Sequence, residues 1–320
     1  MEGDMKKLIF ISLFLFITFA FSQPFQPGQI LIRDDKNFYI FNNMGVEIKK
    51  FSGSAPMVWI KDIGLITSKI EDGFVIFKVF KTPEDFYKIK TEIKAKSVKK
   101  LLKKDEEFIL LYIEPEKDAI KVAIFSKDFK CISDIYLRDP SGNYEILKEG
   151  KAFIYDAVIF KDKLWISGYP YHSGEISFYP IVFSKKVPEE IKDLFSEEEI
   201  IAEVEKNKGK RIGKISGIAG NNRGIGLYDD KNLISVDTNL PGKLTIFSPE
   251  TNESKILTIS IDPSLNEKWG FYGILVLENE ILVSNVHPNV KKIYRIDKKT
   301  GQVKGIFASG ITGIEMQEIQ

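Results

Sequence analysis

The chain has 320 residues, of which 43% are hydrophobic and 12% aromatic, a composition that fills a large core and excludes intrinsic disorder. Its 46 Lys and Arg residues balance its 45 Asp and Glu residues to a formal net charge of +1, so electrostatics gives no reason to expect nucleic acid or an anionic membrane as a partner. The single cysteine, Cys131, excludes an internal disulfide, and the abundance of Lys, Glu and Ile hints at a thermophilic source.

The N-terminus has the pattern of a secretory signal peptide. Two lysines precede the apolar run Leu8–Phe21, and small residues end the run at Ser22, next to Gln23. The run is shorter than the roughly 20 residues that span a bilayer. We therefore expect residues 1–22 to be removed and a single domain, 23–320, to be secreted or periplasmic without a membrane span. Retention of the leader as an anchor is the alternative.

A weak internal repeat follows the leader. Three segments, 156–167, 224–235 and 273–284, can be superposed as a strand, a short polar turn and a second strand. Each continues through a polar loop into another strand. Short antiparallel strands repeating with a period of roughly 40–50 residues are typical of a β-propeller blade.

The repeat predicts an all-β, six-bladed propeller with four-stranded antiparallel blades. The predicted blades are Gln29–Phe51, Pro56–Phe80, Val98–Leu137, Phe153–Ser216, Gly224–Ile261 and Gly273–Phe307. The first of these lacks an inner strand. We expect the tail, Ile311–Ile319, to supply it and so to close the ring, which removes an exposed sheet edge.

Two segments interrupt the strands and predict small helical insertions. Thr82–Asp85 has the composition of a capped helix start, after which Phe86, Ile89 and Ile93 would share one helical face. Pro188–Lys208 combines a capping box with apolar residues at helical spacing. This second insertion is interpreted as a lid, a partner surface or a loop packed on the rim of the propeller.

The last third of the chain also carries a family resemblance. The stretches Tyr272–Asn285 and Lys292–Val303 resemble the strand-turn-strand and the Arg-Ile-Asp…Thr-Gly hairpin of six-bladed propellers in the NHL-repeat and gluconolactonase-like group. The resemblance implies the fold and no particular activity. Gluconolactonase-like enzymes hold a divalent cation at the mouth of the central channel. Arg223 and Tyr272 stand here where that family has Asn, so the implied ligand set is incomplete.

Equivalent loops of successive blades meet at one face of a propeller, around its central channel. This geometry predicts a shared ligand-binding site from residues far apart in sequence. The predicted site residues are Asp156, Tyr169, Tyr171, His172, Arg223, Asp237, Asn239, Tyr272, Asn285 and His287. Among them, Asp237 and Asn285 are candidate ligands for Ca²⁺ or another divalent cation.

The expected function is that of an exported, non-catalytic binding module without a cofactor, whose ligand is a protein, a peptide or a carbohydrate. Aromatic side chains at the channel mouth favour a sugar or a peptide. One alternative is a metal-dependent hydrolase of the lactonase or esterase type. A second is a structural component of a cell-envelope assembly, recruited through the helical insertion. The sequence contains no nucleophile elbow, Walker loop or His-Glu-x-x-His motif.

Overall fold

The computed structural model describes the greater part of the chain. The described residues are 25–53, 55–137, 148–149, 152–161, 163–170, 179–182, 222–237, 242–251, 253–259, 271–285 and 290–320. Regular structure within these ranges consists of β-strands only. Accordingly, they include no helix with the length and apolarity needed to cross a bilayer.

The described strands are numbered in chain order. The first eleven are β1 (Ile30–Arg33), β2 (Asn37–Phe41), β3 (Glu47–Ser52), β4 (Met57–Ile60), β5 (Gly64–Glu71), β6 (Phe74–Phe80), β7 (Phe86–Lys94), β8 (Ser97–Lys104), β9 (Glu107–Ile113), β10 (Ile120–Phe125) and β11 (Cys131–Tyr136). The others are β12 (Ala152–Phe160), β13 (Lys163–Pro170), β14 (Tyr179–Val182), β15 (Asn222–Leu227), β16 (Leu233–Asp237), β17 (Lys243–Ser248), β18 (Glu253–Thr258), β19 (Phe271–Val276), β20 (Glu280–Asn285), β21 (Lys292–Asp297), β22 (Val303–Ser309) and β23 (Glu315–Glu318).

These strands build antiparallel sheets of the propeller type. Five sheets have four strands, in the orders β23-β1-β2-β3, β4-β5-β6-β7, β11-β10-β9-β8, β15-β16-β17-β18 and β19-β20-β21-β22, and a further sheet has the three strands β12-β13-β14. The predicted all-β propeller with four-stranded antiparallel blades is therefore confirmed. Five such blades are complete in the described residues, where six were predicted.

Burial explains why these segments are strands. The middle strand β9 reads Glu-Phe-Ile-Leu-Leu-Tyr-Ile, and every residue after the glutamate is buried, because both faces of a blade pack against neighbouring blades. The outer strand β3, in contrast, is exposed along most of its length. The cores accordingly lie between blades. Between the second and third blades, Phe77 packs edge-on against Phe125 with ring centroids 5.0 Å apart.

The inner strands of successive sheets also contact one another. Contacts join β23 to β4, β4 to β8, β8 to β12, β12 to β15, β15 to β19 and β19 back to β23. The tail closes this circuit as predicted, because β23 pairs antiparallel with β1, from Ile30 opposite Glu318 to Arg33 opposite Glu315. The side-chain amide of Gln317 links the closing strand to the next blade. It accepts a hydrogen bond from the backbone N–H of Trp59 at 2.8 Å and donates one to the backbone carbonyl of Met57 at 2.8 Å.

The predicted helix after Thr82 is wrong. Thr82 Oγ1 accepts the backbone N–H of Asp85 at 3.0 Å, which makes a turn, and the chain then continues as β7 along the edge of β6. Helix caps and such turns use the same hydrogen bond, so the local signal is ambiguous. Within β7, Thr91 and Ile93 are buried between exposed neighbours, a period of two that belongs to a strand. The other predicted insertion, 188–208, lies outside the described residues.

The turn at Asp297 provides a test of the hairpin chemistry. Asp297 Oδ1 accepts the backbone N–H groups of Lys299 at 3.0 Å and Thr300 at 2.9 Å. The hydrogen bond from the Thr300 N–H and the ion pair with Lys304 hold the pKa of Asp297 well below its ordinary value of 3.8. A depressed carboxyl pKa contributes stability above the unfolded pKa, and this contribution is lost as pH falls through the folded pKa.

We expect Asp297→Ala to lower the melting temperature at pH 7, and the deficit to narrow as the pH falls below 3.8. Thermal melts between pH 7 and pH 3 measure both effects. Asp230→Ala is the matched control, because Asp230 is an exposed aspartate in the turn between β15 and β16. An equal deficit at all pH values would contradict the role given to the Asp297 carboxylate.

Candidate functional site

A repeated irregularity marks the beginning of four inner strands. The pairing register shifts between Val98 and Lys100 in β8, Ile154 and Asp156 in β12, Asn222 and Ile225 in β15, and Phe271 and Ile274 in β19. At each shift two residues of the inner strand oppose one residue of its partner, which defines a β-bulge. Bulges turn a side chain away from the alternation of a regular strand and are frequent beside binding sites.

The bulges point side chains into a cavity at the centre of the ring. The cavity has a volume of about 280 Å³ and is lined by the first residues of β8, β12, β19 and β23, together with the residues that precede or end neighbouring strands. In both β8 and β12 three consecutive residues line it, where regular alternation would turn the middle one away. The polar and aromatic lining residues are Arg33, Lys99, Lys100, Tyr155, Asp156, Tyr272 and Glu315.

Glu315 is the most deeply buried charged residue in this wall, with a side chain that is 2% exposed. Its Oε2 accepts Arg33 Nε at 3.1 Å and the backbone N–H of Met57 at 3.2 Å. Its Oε1 lies 2.7 Å from Lys100 Nζ. Burial raises the pKa of the Glu315 carboxyl, but the opposite charges of Lys100 and Arg33 outweigh burial and hold that pKa below its usual value.

Lys100 joins this carboxylate to a second one. Its Nζ lies 2.8 Å from Asp156 Oδ1, and Asp156 also accepts the N–H of Ala157 at Oδ1 and of Ile225 at Oδ2, at 2.9 and 3.1 Å. Burial lowers the pKa of the Lys100 ammonium, but Asp156 and Glu315 more than offset burial and raise that pKa above its usual value. We call the run Arg33, Glu315, Lys100 and Asp156 the central ion chain. The central ion chain ties several blades together.

Glycines occupy the equivalent bulge positions elsewhere in the ring. Gly224 and Gly273 stand in β15 and β19 where Lys100 and Asp156 stand in β8 and β12. A Cβ at Gly224 would lie 2.6 Å from the Tyr272 carbonyl oxygen, and one at Gly273 would lie 2.3 Å from the Gly313 carbonyl oxygen. The backbone of the next blade therefore fills the space that a side chain takes in β8 and β12.

The structure brings part of the predicted site together. Asp156 and Tyr272 line the cavity, whereas Asn285 is fully buried at the end of β20, opposite Phe271. Three further predicted residues lie in β13, β15 and β16, with side chains outside the described part: Tyr169, Arg223 and Asp237. Outside the described residues altogether are Tyr171, His172, Asn239 and His287. The functional roles of all these residues stay predictions.

Sequence reasoning missed three members of the central ion chain: Arg33, Lys100 and Glu315. A signal for two of them was present. Lys100 follows the start of the third predicted blade by two residues, and Glu315 lies in the tail that was expected to form an inner strand. Extending the repeat alignment to these segments would have placed both charges beside Asp156. Arg33 has no such signal, because its partner Glu315 is 282 residues away.

Comparison with known proteins supports the fold. The chain matches no protein-family profile and no curated protein. Solved structures do match. A Bacteroides fragilis protein reported as a candidate 6-phosphogluconolactonase has 10% identity and a TM-score of 0.53, over 91% of this chain and 98% of that one. A functionally unknown protein from Desulfotomaculum acetoxidans has 10% identity and a TM-score of 0.50, over 92% and 99% of the two chains.

A Lactobacillus plantarum protein gives a similar result, with 10% identity and a TM-score of 0.50 over 92% of this chain and 83% of that one. Identities this low show a common fold and leave activity open. No NHL-repeat or gluconolactonase-like family membership follows, so that resemblance holds only for the fold. The chain is an all-β propeller, similar in architecture to structures of the 6-phosphogluconolactonase-like type.

Proposed function

We propose that this protein is an exported six-bladed propeller that binds a small, oxygen-rich ligand in its central cavity without catalysing a reaction. The observation that carries the proposal is a built polar cavity of about 280 Å³ at the centre of the ring. This volume is close to the lower end of known small-molecule sites, roughly 300 Å³. It suits a ligand the size of a monosaccharide or a small acid.

The blade count of six is supported by the circuit of inner strands. The three-stranded sheet takes its place in that circuit, since β12 contacts β8 on one side and β15 on the other. Its strands β12 and β13 also carry core residues that pack on neighbours. Trp165 of β13 lies with its ring centroid 6.3 Å from that of Phe247 in β17. We therefore count the three-stranded sheet as the fourth blade of a closed ring.

Binding without a metal is supported by the state of the two cavity carboxylates. The Lys100 ammonium lies between Asp156 and Glu315, at 2.8 and 2.7 Å, and so occupies the position that a cation would take. Backbone N–H groups and Arg33 satisfy the remaining oxygens. Calcium requires six to eight oxygen ligands, and these two carboxylates already serve the protein. The candidate metal ligands Asp237 and Asn285 are not part of this pair, so the lactonase-type hydrolase stays the alternative function.

The lining favours hydrogen-bond acceptors on the ligand. With both carboxylates bound to cations of the protein, the wall presents mainly donors. Lys100 has three N–H groups, and its ion pairs with Asp156 and Glu315 use two of them. Lys99 adds a second ammonium, which is 2.8 Å from Glu149. The rings of Tyr155 and Tyr272 supply flat apolar surface. Hydroxyl or carboxylate oxygens on a small ring would match this arrangement.

Thermal shift with a panel of neutral sugars, sugar acids and short carboxylic acids tests this function. We expect at least one acid or sugar to raise the melting temperature by mass action. Tyr272→Ala should weaken its binding roughly tenfold, about 1.4 kcal/mol, as measured by calorimetry. Tyr87→Ala is the control, because Tyr87 is an exposed tyrosine on β7.

Two outcomes would contradict this function. A shift produced by calcium, abolished by EDTA and unaffected by the panel, would favour the hydrolase and justify a lactone and ester screen. An equal loss of ligand binding in Tyr87→Ala and Tyr272→Ala would place the ligand outside the cavity.

A further inference from the structure

The second blade carries an unusual concentration of lysine on one face. Residues directly opposite one another in neighbouring strands share a face. The register places Thr67, Lys78 and Lys88 in one cross-strand row and Lys69, Ile76 and Lys90 in the next. The last row contains Glu71, Phe74 and Lys94. We call the surface formed by Lys69, Lys78, Lys88, Lys90 and Lys94 the lysine face. Glu71 is the carboxylate within these rows.

Contacts confirm that these side chains lie together. Glu71 pairs with Lys69 and, at 3.0 Å, with Lys88. Lys78 Nζ lies 3.5 Å from the centroid of the Phe86 ring, and Lys90 lies 4.6 Å from that of Phe74. Burial and then the like charges of Lys69 and Lys88 lower the pKa of the Lys78 ammonium. The positive charges therefore repel one another within the face.

Protection of the sheet edge does not account for this arrangement. Lysines on an outer strand discourage pairing with other chains, and β7 is the outer strand of its blade. Lys78 and Lys69, however, lie on β6 and β5, one and two strands in from the edge. Lys78 also stands directly opposite Lys88, an arrangement that destabilises a sheet. An anionic partner would relieve this repulsion.

We propose that the lysine face is a second binding site, for a linear acidic polysaccharide. Five ammonium groups against Glu71 and Glu92, the exposed glutamate between Lys90 and Lys94 on β7, leave the face with a net positive charge that the near-neutral chain as a whole conceals. Lysines two residues apart on one strand recur at about 7 Å, which suits a polymer with a charge on each sugar. Phe86, 43% exposed, adds an apolar ring beside Lys78.

The lysine face lies on a hairpin that extends past its neighbouring strand, which suits an extended partner. The hairpin of β5 and β6 continues beyond β4, whose pairing with β5 ends at Met57 opposite Thr67. Met57 follows Pro56, which lines the cavity, so this hairpin extends on the cavity side of the ring. The predicted leader directs the chain to the compartment of acidic envelope and matrix glycans, which is why we choose a polysaccharide over nucleic acid.

Fluorescence anisotropy with labelled polygalacturonate tests the proposal on the purified protein. We expect binding that weakens steadily with added salt, as counterion release requires. Lys90→Glu combined with Lys94→Glu should weaken it by at least about tenfold. Glu71→Gln should strengthen it roughly two- to fivefold by removing the carboxylate that pairs with Lys69 and Lys88. A folding defect would not strengthen binding, so this variant separates charge from stability.

The matched control is Lys36→Glu combined with Lys243→Glu, the same charge change at exposed lysines of other blades. An equal loss in this control, or the absence of polygalacturonate binding at low salt, would overturn the proposal. Tighter binding to a DNA oligonucleotide, or to vesicles containing anionic lipid, would also overturn the choice of polysaccharide. The proposal stands apart from the cavity, whose ligand binding these variants should leave unchanged.

Discussion

Glu315→Ala should lower the free energy of unfolding by about 3–5 kcal/mol, the cost of removing one partner from a buried ion pair. Glu315 is 2% exposed and serves Arg33, Lys100 and the Met57 N–H. Its loss would leave the Lys100 ammonium with Asp156 as its partner in this chain and the Met57 N–H without its acceptor. Because Glu315 lies on the strand that closes the ring, the damage should reach both neighbouring blades. Denaturant unfolding measures the effect.

Two companion variants define what Glu315 contributes. Glu318→Ala removes an exposed glutamate from the same strand and should change stability by less than about 0.5 kcal/mol. Glu315→Gln keeps the shape and removes the charge, so its deficit should shrink as pH falls below the ordinary carboxyl pKa of 4.5. The sign follows from the lowered pKa of Glu315, whose stabilisation is present above that value and lost below it. Equal free energies of unfolding for Glu315→Ala and Glu318→Ala would show that the central ion chain does not stabilise the closed ring.

Gly273→Ala should be destabilising by about 3 kcal/mol, through overpacking at the seam where the ring closes. The new Cβ would lie 2.3 Å from the Gly313 carbonyl oxygen and 3.2 Å from that of Ile314. Both obstacles are backbone atoms, which move only if β19 separates from the segment leading to β23. That separation would also disturb the hydrogen bond at 2.7 Å from the Gly273 N–H to Ser284 Oγ.

Gly226→Ala is the control for this substitution. A Cβ there would first meet Val276 Cγ2 at 3.4 Å, an ordinary van der Waals contact. Replacing such a glycine restricts the unfolded chain, so a change near zero or a slight stabilisation is expected. If Gly273→Ala and Gly226→Ala have the same melting temperature, the two strands at the seam are farther apart than the structure indicates.

The sequence by itself determined most of the strands, the turn chemistry and the closure of the ring, with β7 as the exception. These features depend on patterns that a short segment or a repeat displays, such as the buried run of β9 or the side-chain hydrogen bonds of Asp297 to the turn that follows it. Closure by the tail followed from counting strands, because a blade without an inner strand exposes an edge. These inferences needed no knowledge of distant contacts.

Only the tertiary structure decided the rest. The hydrogen bond from the Asp85 N–H to Thr82 Oγ1 is of a kind found both at helix caps and in turns. Pairing with the edge of β6 makes the following segment a strand. The cavity depends on residues from six regions of the chain, and Arg33 meets Glu315 across 282 residues. Charge at one position carries no information about a partner so distant. The distance to the next blade decides which residue a bulge position can hold. There is room for a side chain at Lys100, whereas at Gly273 the neighbouring backbone leaves room only for glycine.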